Sequence, residues 1–118
     1  MQNKLLEFWN GFVERCGFVL ADGELVELSN CHEDPRNGFR IDAAEILKYG
    51  GRVIATWHTH PLYGPNLSVE DYKCFLDWPE WQHIIIHKDT LRIYYVEQNR
   101  VLLHDDSDFP RLPEGVVS

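Results

Sequence analysis

An α/β domain built on a mixed sheet flanked by helices is the fold class that this sequence predicts. Three observations carry it. Apolar residues recur at helical spacing near the start. "RVIATWHTH", residues 52–60, is a near-continuous apolar run, as in a strand covered on both faces. After residue 82, apolar runs alternate with two-residue turn signals. Helical and strand patterns are interleaved, which suits a layered sheet.

In chain order, residues 3–15 place Leu5, Leu6, Phe8, Trp9, Phe12 and Val13 on one stripe and predict an amphipathic helix. "FVLADGELVEL" predicts a hairpin, because Asp22-Gly23 supplies the positive φ that a tight turn needs. "SNCHEDPRNG" is a loop by composition, and "FRI" a short strand. "DAAEILKYGG" predicts a helix with Asp42 as N-cap and Gly50-Gly51 as stop. A strand over 52–60 halts at Pro61, and "PLYGPN" is a loop. "SVEDYKCFLDW" is a helix ended by Pro79. "HIIIHKDTLRIYYVEQNRVLLHDD" predicts two or three antiparallel strands turning at Lys88-Asp89 and Gln98-Asn99, before an extended tail with two prolines. Trp9, Trp57, Trp78 and Trp81 are expected in the core, and Asp105-Asp106-Ser107-Asp108 as a solvated turn.

At 118 residues the chain is expected to be a single domain, residues 1–118. A hydrophobic fraction of 44% and an aromatic fraction of 13% support a folded core. A net charge of −8 repels phosphate backbones and argues against nucleic acid as a partner. Cys16, Cys31 and Cys74 are odd in number and unpaired in spacing, which points to a reducing, cytoplasmic compartment. "MQNKLLEFWNGF" is too polar for a signal peptide, and no run is long enough to predict a membrane span.

The chemistry concentrates in "WHTHPLYGPNLSVED", residues 57–71. Alternation along a strand puts His58 and His60 on one face at the strand end, where two imidazoles can share a divalent cation. Asp71, in the first turn of the next helix, is the candidate third ligand. Two histidines and one carboxylate match a catalytic zinc site, which keeps its fourth position for water and lowers that water's pKa from ~16 to ~7. A hydrolase of this kind also needs a base, and Glu7, Glu14, Glu24, Glu27 and Glu45 are all candidates by residue type. Ser68 is placed to donate to an oxyanion.

Plainer readings exist for each part. Ser68-Val69-Glu70-Asp71 fits a capping box, a role compatible with ligation because a capped helix start also fixes the aspartate. His58 and His60 alone also fit a buried strand pair. His32, His83, His87 and His104 read as surface or core residues, and Cys74 as packing.

The joint pattern is more specific than its parts. His58-Thr59-His60, seven residues, Ser68, two residues and Asp71 resembles the motif of the JAMM metalloprotease family, which is a glutamate followed by His-Ser/Thr-His, seven residues, Ser, two residues and Asp. "ERCGFVL" is similar to the Glu-x-Cys-Gly segment of bacterial and phage members, and this resemblance singles out Glu14. "NGFRIDAAE" is similar to a segment in the N-terminal domain of the lambda-like phage tail-tip assembly protein K. The resemblance spans about residues 14–71. It implies the MPN, cytidine-deaminase-like fold. It further implies zinc on His58, His60 and Asp71, Glu14 as general acid/base, and Ser68 steadying a tetrahedral intermediate.

Members of the family hydrolyse peptide or isopeptide bonds, often beside the C-terminus of a ubiquitin-like protein. The expected partner is therefore a protein or peptide, ubiquitin-like or from a phage tail, in bacterial or phage-infected host cytoplasm. The papain-like second domain of the lambda-like protein has no counterpart in these 118 residues, nor do the ubiquitin-gripping insertions of eukaryotic deubiquitinases. A non-catalytic tail-assembly scaffold with a relic or structural metal is the alternative. A zinc deaminase predicts His-x-Glu and Pro-Cys-x-x-Cys, and the sequence has neither.

Overall fold

The computed structural model describes residues 2–62 and 64–104. Element order is α1 (Gln2–Leu6), β1 (Cys16–Leu20), β2 (Leu25–Leu28), α2 (Ala43–Tyr49), β3 (Val53–Thr59), α3 (Val69–Leu76), β4 (Gln82–His87), β5 (Thr90–Glu97) and β6 (Arg100–Leu103). The strands form one mixed six-stranded sheet in the order β2-β1-β3-β4-β5-β6. Among the described strands only β3 and β4 pair in parallel, and α3 is the crossover between them, as parallel neighbours require.

The turns follow their residues. Gly23 adopts φ 90° between β1 and β2, while Gln98 and Asn99 take φ 53° and 60° between β5 and β6. Asp42 caps α2 by accepting from the Ala44 N–H, and Ser68 caps α3.

Alternation splits the core between the two sheet faces. One face carries Val19, Ala55, Trp57, Ile84 and Ile86 and is covered by Leu5 of α1. The other carries Phe18, Thr56, His58, His83 and Ile85, with α2 and α3 packed over it. β3 is therefore buried on both sides, as its apolar run predicts.

Two expected elements are corrected. The helix over 3–15 stops at Leu6. The Asn10 side chain accepts from the N–H groups of Phe12 and Val13, and Gly11 sits at φ 77°. This local bonding competes with the helix ladder and turns the chain out of it. Phe12, expected on the buried stripe, is 70% exposed. "FRI" forms no strand. Its Arg40 pairs instead with the loop it closes, donating its N–H to Asn30 Oδ1 and accepting from the Cys31 N–H.

Among the tryptophans, Trp57 and Trp81 are buried, whereas Trp9 and Trp78 are half-buried. Cys74 is half-buried, and all three cysteines are free thiols. His83 and His104 lie inside; His32 and His87 are half-buried. The Asp105–Asp108 turn and the tail lie outside the described residues. No described helix is long and apolar enough to cross a membrane.

Candidate metal centre

His58 and His60 project from the C-terminal end of β3 onto the face that α3 covers. Their Nε2 atoms face each other at 3.1 Å. Asp71, the third residue of α3, meets both: Oδ1 lies 3.2 Å from His58 Nε2 and Oδ2 lies 3.0 Å from His60 Nε2. Two imidazoles and a carboxylate converging in this way are a donor set for a divalent ion. In a tetrahedral zinc site with bonds of about 2.0 Å, ligand atoms stand about 3.3 Å apart, close to the spacing found here.

Glu14 joins from the segment before β1. One ligand-type atom from each of Glu14, His58 and His60 lies within 4.8 Å of the others. Register explains the meeting, because Cys16 pairs with His58 across β1 and β3 and Glu14 lies two residues before Cys16. Glu14 is 3% exposed, and its Oε1 has no hydrogen-bond partner among the described residues. A buried polar atom left unmet by the protein calls for another partner, and a cation or its water fits.

The supporting contacts fix orientation. His60 Nδ1–H donates to the Gly64 carbonyl at 3.0 Å, which leaves Nε2 as the lone-pair nitrogen. The His60 carbonyl accepts from Trp9 Nε1–H and from the His87 ring. Ser68 Oγ accepts from the Asp71 N–H at 3.0 Å, and Asp71 Oδ2 accepts from the Ser68 N–H at 3.3 Å. Ser68 thus touches the cluster through Asp71. His58 has no such second contact, and its Nδ1 is buried without a hydrogen-bond partner among the described residues. Instead Phe39 stacks on its ring, with centroids 4.1 Å apart.

A strap over residues 29–41 completes the enclosure. Asn30 Nδ2 donates to the Glu14 carbonyl and to the Gly38 carbonyl, at 2.8 and 2.9 Å. The Glu14 N–H donates to the Pro35 carbonyl. His32 accepts from the Asp34 N–H at Nδ1, so Nε2–H donates to Glu70 of α3 at 2.8 Å. The sequence motif names the cluster but not Asn30, Phe39 or the His32–Glu70 tie, since loop side chains carry no periodicity.

Burial dominates the electrostatics. It pushes the Glu14 carboxyl up to about 8, against the pull of His60. It also pushes the His58 ring below its ordinary value, against the pull of Asp71. At Asp71 burial resists ionisation, but His58 and His60 outweigh it and hold the carboxyl below the usual range. At His60 burial resists protonation, and the Asp71 hydrogen bond and Gly64 carbonyl outweigh it, so the ring rises.

No protein-family model matches the chain, and no curated protein matches it. Among solved structures it is similar to the solution structure of protein DSY2949 from Desulfitobacterium hafniense. That similarity has a TM-score of 0.70 and 18% identity, and it covers 87% of this chain and 84% of the other. At that identity it speaks for the fold alone.

Proposed function

We propose that the protein is a zinc-dependent peptidase or isopeptidase of the JAMM type, with the MPN fold. The observation that carries this reading is the convergence of His58, His60 and Asp71 within 3.0–3.2 Å, with the Glu14 carboxylate beside them. His58, His60 and Asp71 hold the ion. When bound, it supplies a Lewis acid that polarises a carbonyl and makes water nucleophilic at neutral pH. Glu14 takes the proton from the attacking water and delivers it to the leaving amine. The strap and Phe39 keep bulk water from the cluster, which strengthens each electrostatic contact within it. Ser68 fixes Asp71 from the helix start, and in this reading its hydroxyl steadies the tetrahedral intermediate. The substrate is a protein or peptide, with a phage-tail or ubiquitin-like partner as the setting.

One observation favours a second reading. All four groups are at most 3% exposed, which also suits a scaffold clipped by a structural ion. Two variants separate the readings. The purified chain should carry about one zinc, and His60→Ala should lose most of it; unchanged metal content in His60→Ala defeats both. Glu14→Gln should keep the zinc and abolish peptide cleavage under the first reading. Under the second it changes neither metal content nor assembly.

A further inference from the structure

We propose that the cavity beside the metal cluster is a pocket for one large, flat apolar side chain of a peptide. Its place in catalysis rests on the peptidase reading above; its existence as a binding site does not.

Thr56 lies two residues before His58 on the same sheet face, paired with Phe18 and His83. Beside these residues a cavity of about 310 Å³ opens between α2 and α3. That volume lies at the small end of the range for ligand pockets, which begins at about 300 Å³. Phe39, Ile46, Trp78 and Trp81 line its sides. Trp78 and Trp81 stack at 4.6 Å with planes 7° apart, and present a flat aromatic wall.

The buried polar side chains of the lining, Thr56 and His83, are satisfied within the protein. The Thr56 hydroxyl donates to His83 Nδ1 at 2.7 Å, and His83 Nε2–H donates to the Trp78 carbonyl at 3.0 Å. At this buried part of the lining an occupant therefore finds apolar area rather than hydrogen-bond partners. The exposed lining residues Arg40, Lys73, Glu70 and Asp77 balance two cations against two carboxylates, which suits an uncharged group. The folded chain leaves this area open because α2 buries none of its residues, and Ile46 is only half-buried.

Continuity with the cluster sets the occupant. Phe39 lines the cavity and also stacks on His58. Glu70 lines it and directly precedes Asp71. A side chain seated here holds the main chain to which it belongs next to the metal ligands. A peptide presents a side chain and a carbonyl at that short separation.

The test is titration of N-acetyl-phenylalanine amide into the ¹⁵N-labelled full chain, read at the indole N–H resonances. Trp78 and Trp81 should shift saturably, with a dissociation constant on the order of millimolar for so small a probe. Trp9 and Trp57 pack on the opposite sheet face and should stay in place. N-acetyl-alanine amide should bind at least about tenfold more weakly. Ile46→Trp should fill the cavity and abolish the shifts. If that variant does not fold, Ile46→Ala decides, because it should move the preference toward a naphthylalanine amide. No shift, or equal shifts at all four indoles, overturns the pocket. Peptide cleavage without apolar preference, together with absent binding, removes the pocket and leaves the peptidase. Selective binding with no peptide hydrolysed by the zinc-loaded chain keeps the pocket and removes the peptidase.

Discussion

Thr59 stands between the two histidines and faces away from them, yet it governs the fourth member of the cluster. Its hydroxyl accepts the Arg15 N–H at 2.8 Å and donates to the Val13 carbonyl, while its own N–H donates to the Arg15 carbonyl. Glu14 is thus held from both sides by one fully buried residue. Thr59→Val keeps the shape but removes the hydroxyl and strands a backbone donor, at a cost of about 1–3 kcal/mol. Under the peptidase reading, the expected kinetic result is a fall in kcat of about ten- to a hundredfold, from misplacement of the base. Zinc content and KM should stay level, and Thr59→Ser should recover activity. Loss of zinc in the valine variant would show a role at the ligands instead. The motif spacing placed Thr59 on the page as a filler between ligands. Its partner lies 44 residues away, and no local pattern reports a contact made at that distance.

At the scale of elements, the start of α3 serves both stability and site. Ser68 and Asp71 form a full capping box, and the same aspartate meets both imidazoles. The capping and ligation readings of residues 68–71 are compatible in the geometry. Ser68→Ala should lower unfolding free energy by about 1 kcal/mol, seen as a lower urea midpoint with unchanged slope. β1 depends on a different restriction. A Cβ on Gly17 would stand 1.8 Å from the Val26 carbonyl and 2.6 Å from the Trp57 indole. Gly17→Ala should therefore cost more than about 4 kcal/mol, and circular dichroism should find it largely unfolded. Near-normal melting would show that the strand shifts cheaply. The hairpin, α2, β3 and the three C-terminal strands were legible because period, caps and turn dipeptides agree there. The 3–15 segment misled because its apolar period continues past Asn10-Gly11, where side-chain hydrogen bonding overrides it. The site was legible as far as side chains repeat along one strand and one helix turn. The strap, which positions Glu14 through backbone groups, was not.

On the scale of the whole molecule, acid should act against stability through a group outside the candidate metal cluster. His83 sits in the middle of the sheet, 1% exposed, stacked on Phe75 at 4.1 Å and held by Thr56 and the Trp78 carbonyl. Burial pushes its pKa down from 6.5 to about 4; the Trp78 carbonyl and Asp71 act the other way, while His58 adds to the fall. The unfolded chain therefore binds a proton near pH 6.5 that the native chain refuses until about pH 4. Between those values the unfolded state holds more protons, so stability falls as pH falls. The contribution is complete above pH 6.5 and gone below about pH 4. The difference between those two values corresponds to about 3 kcal/mol, a large part of the margin of a domain this size. The raised Glu14 carboxyl acts with the opposite sign in this window, because the native chain keeps a proton there that the unfolded chain releases above about pH 4.5. The His83 part is therefore read as a difference from His83→Gln, by urea unfolding at pH 7 and pH 4.5 with chelator present to keep metal linkage out. His83→Gln holds no proton to gain, so from pH 7 to pH 4.5 wild type should lose about 2 kcal/mol relative to the variant, even if the variant is less stable at both values. An equal pH 7-to-4.5 loss in wild type and His83→Gln would transfer the acid sensitivity to the carboxylates, and His83 would then be packing alone.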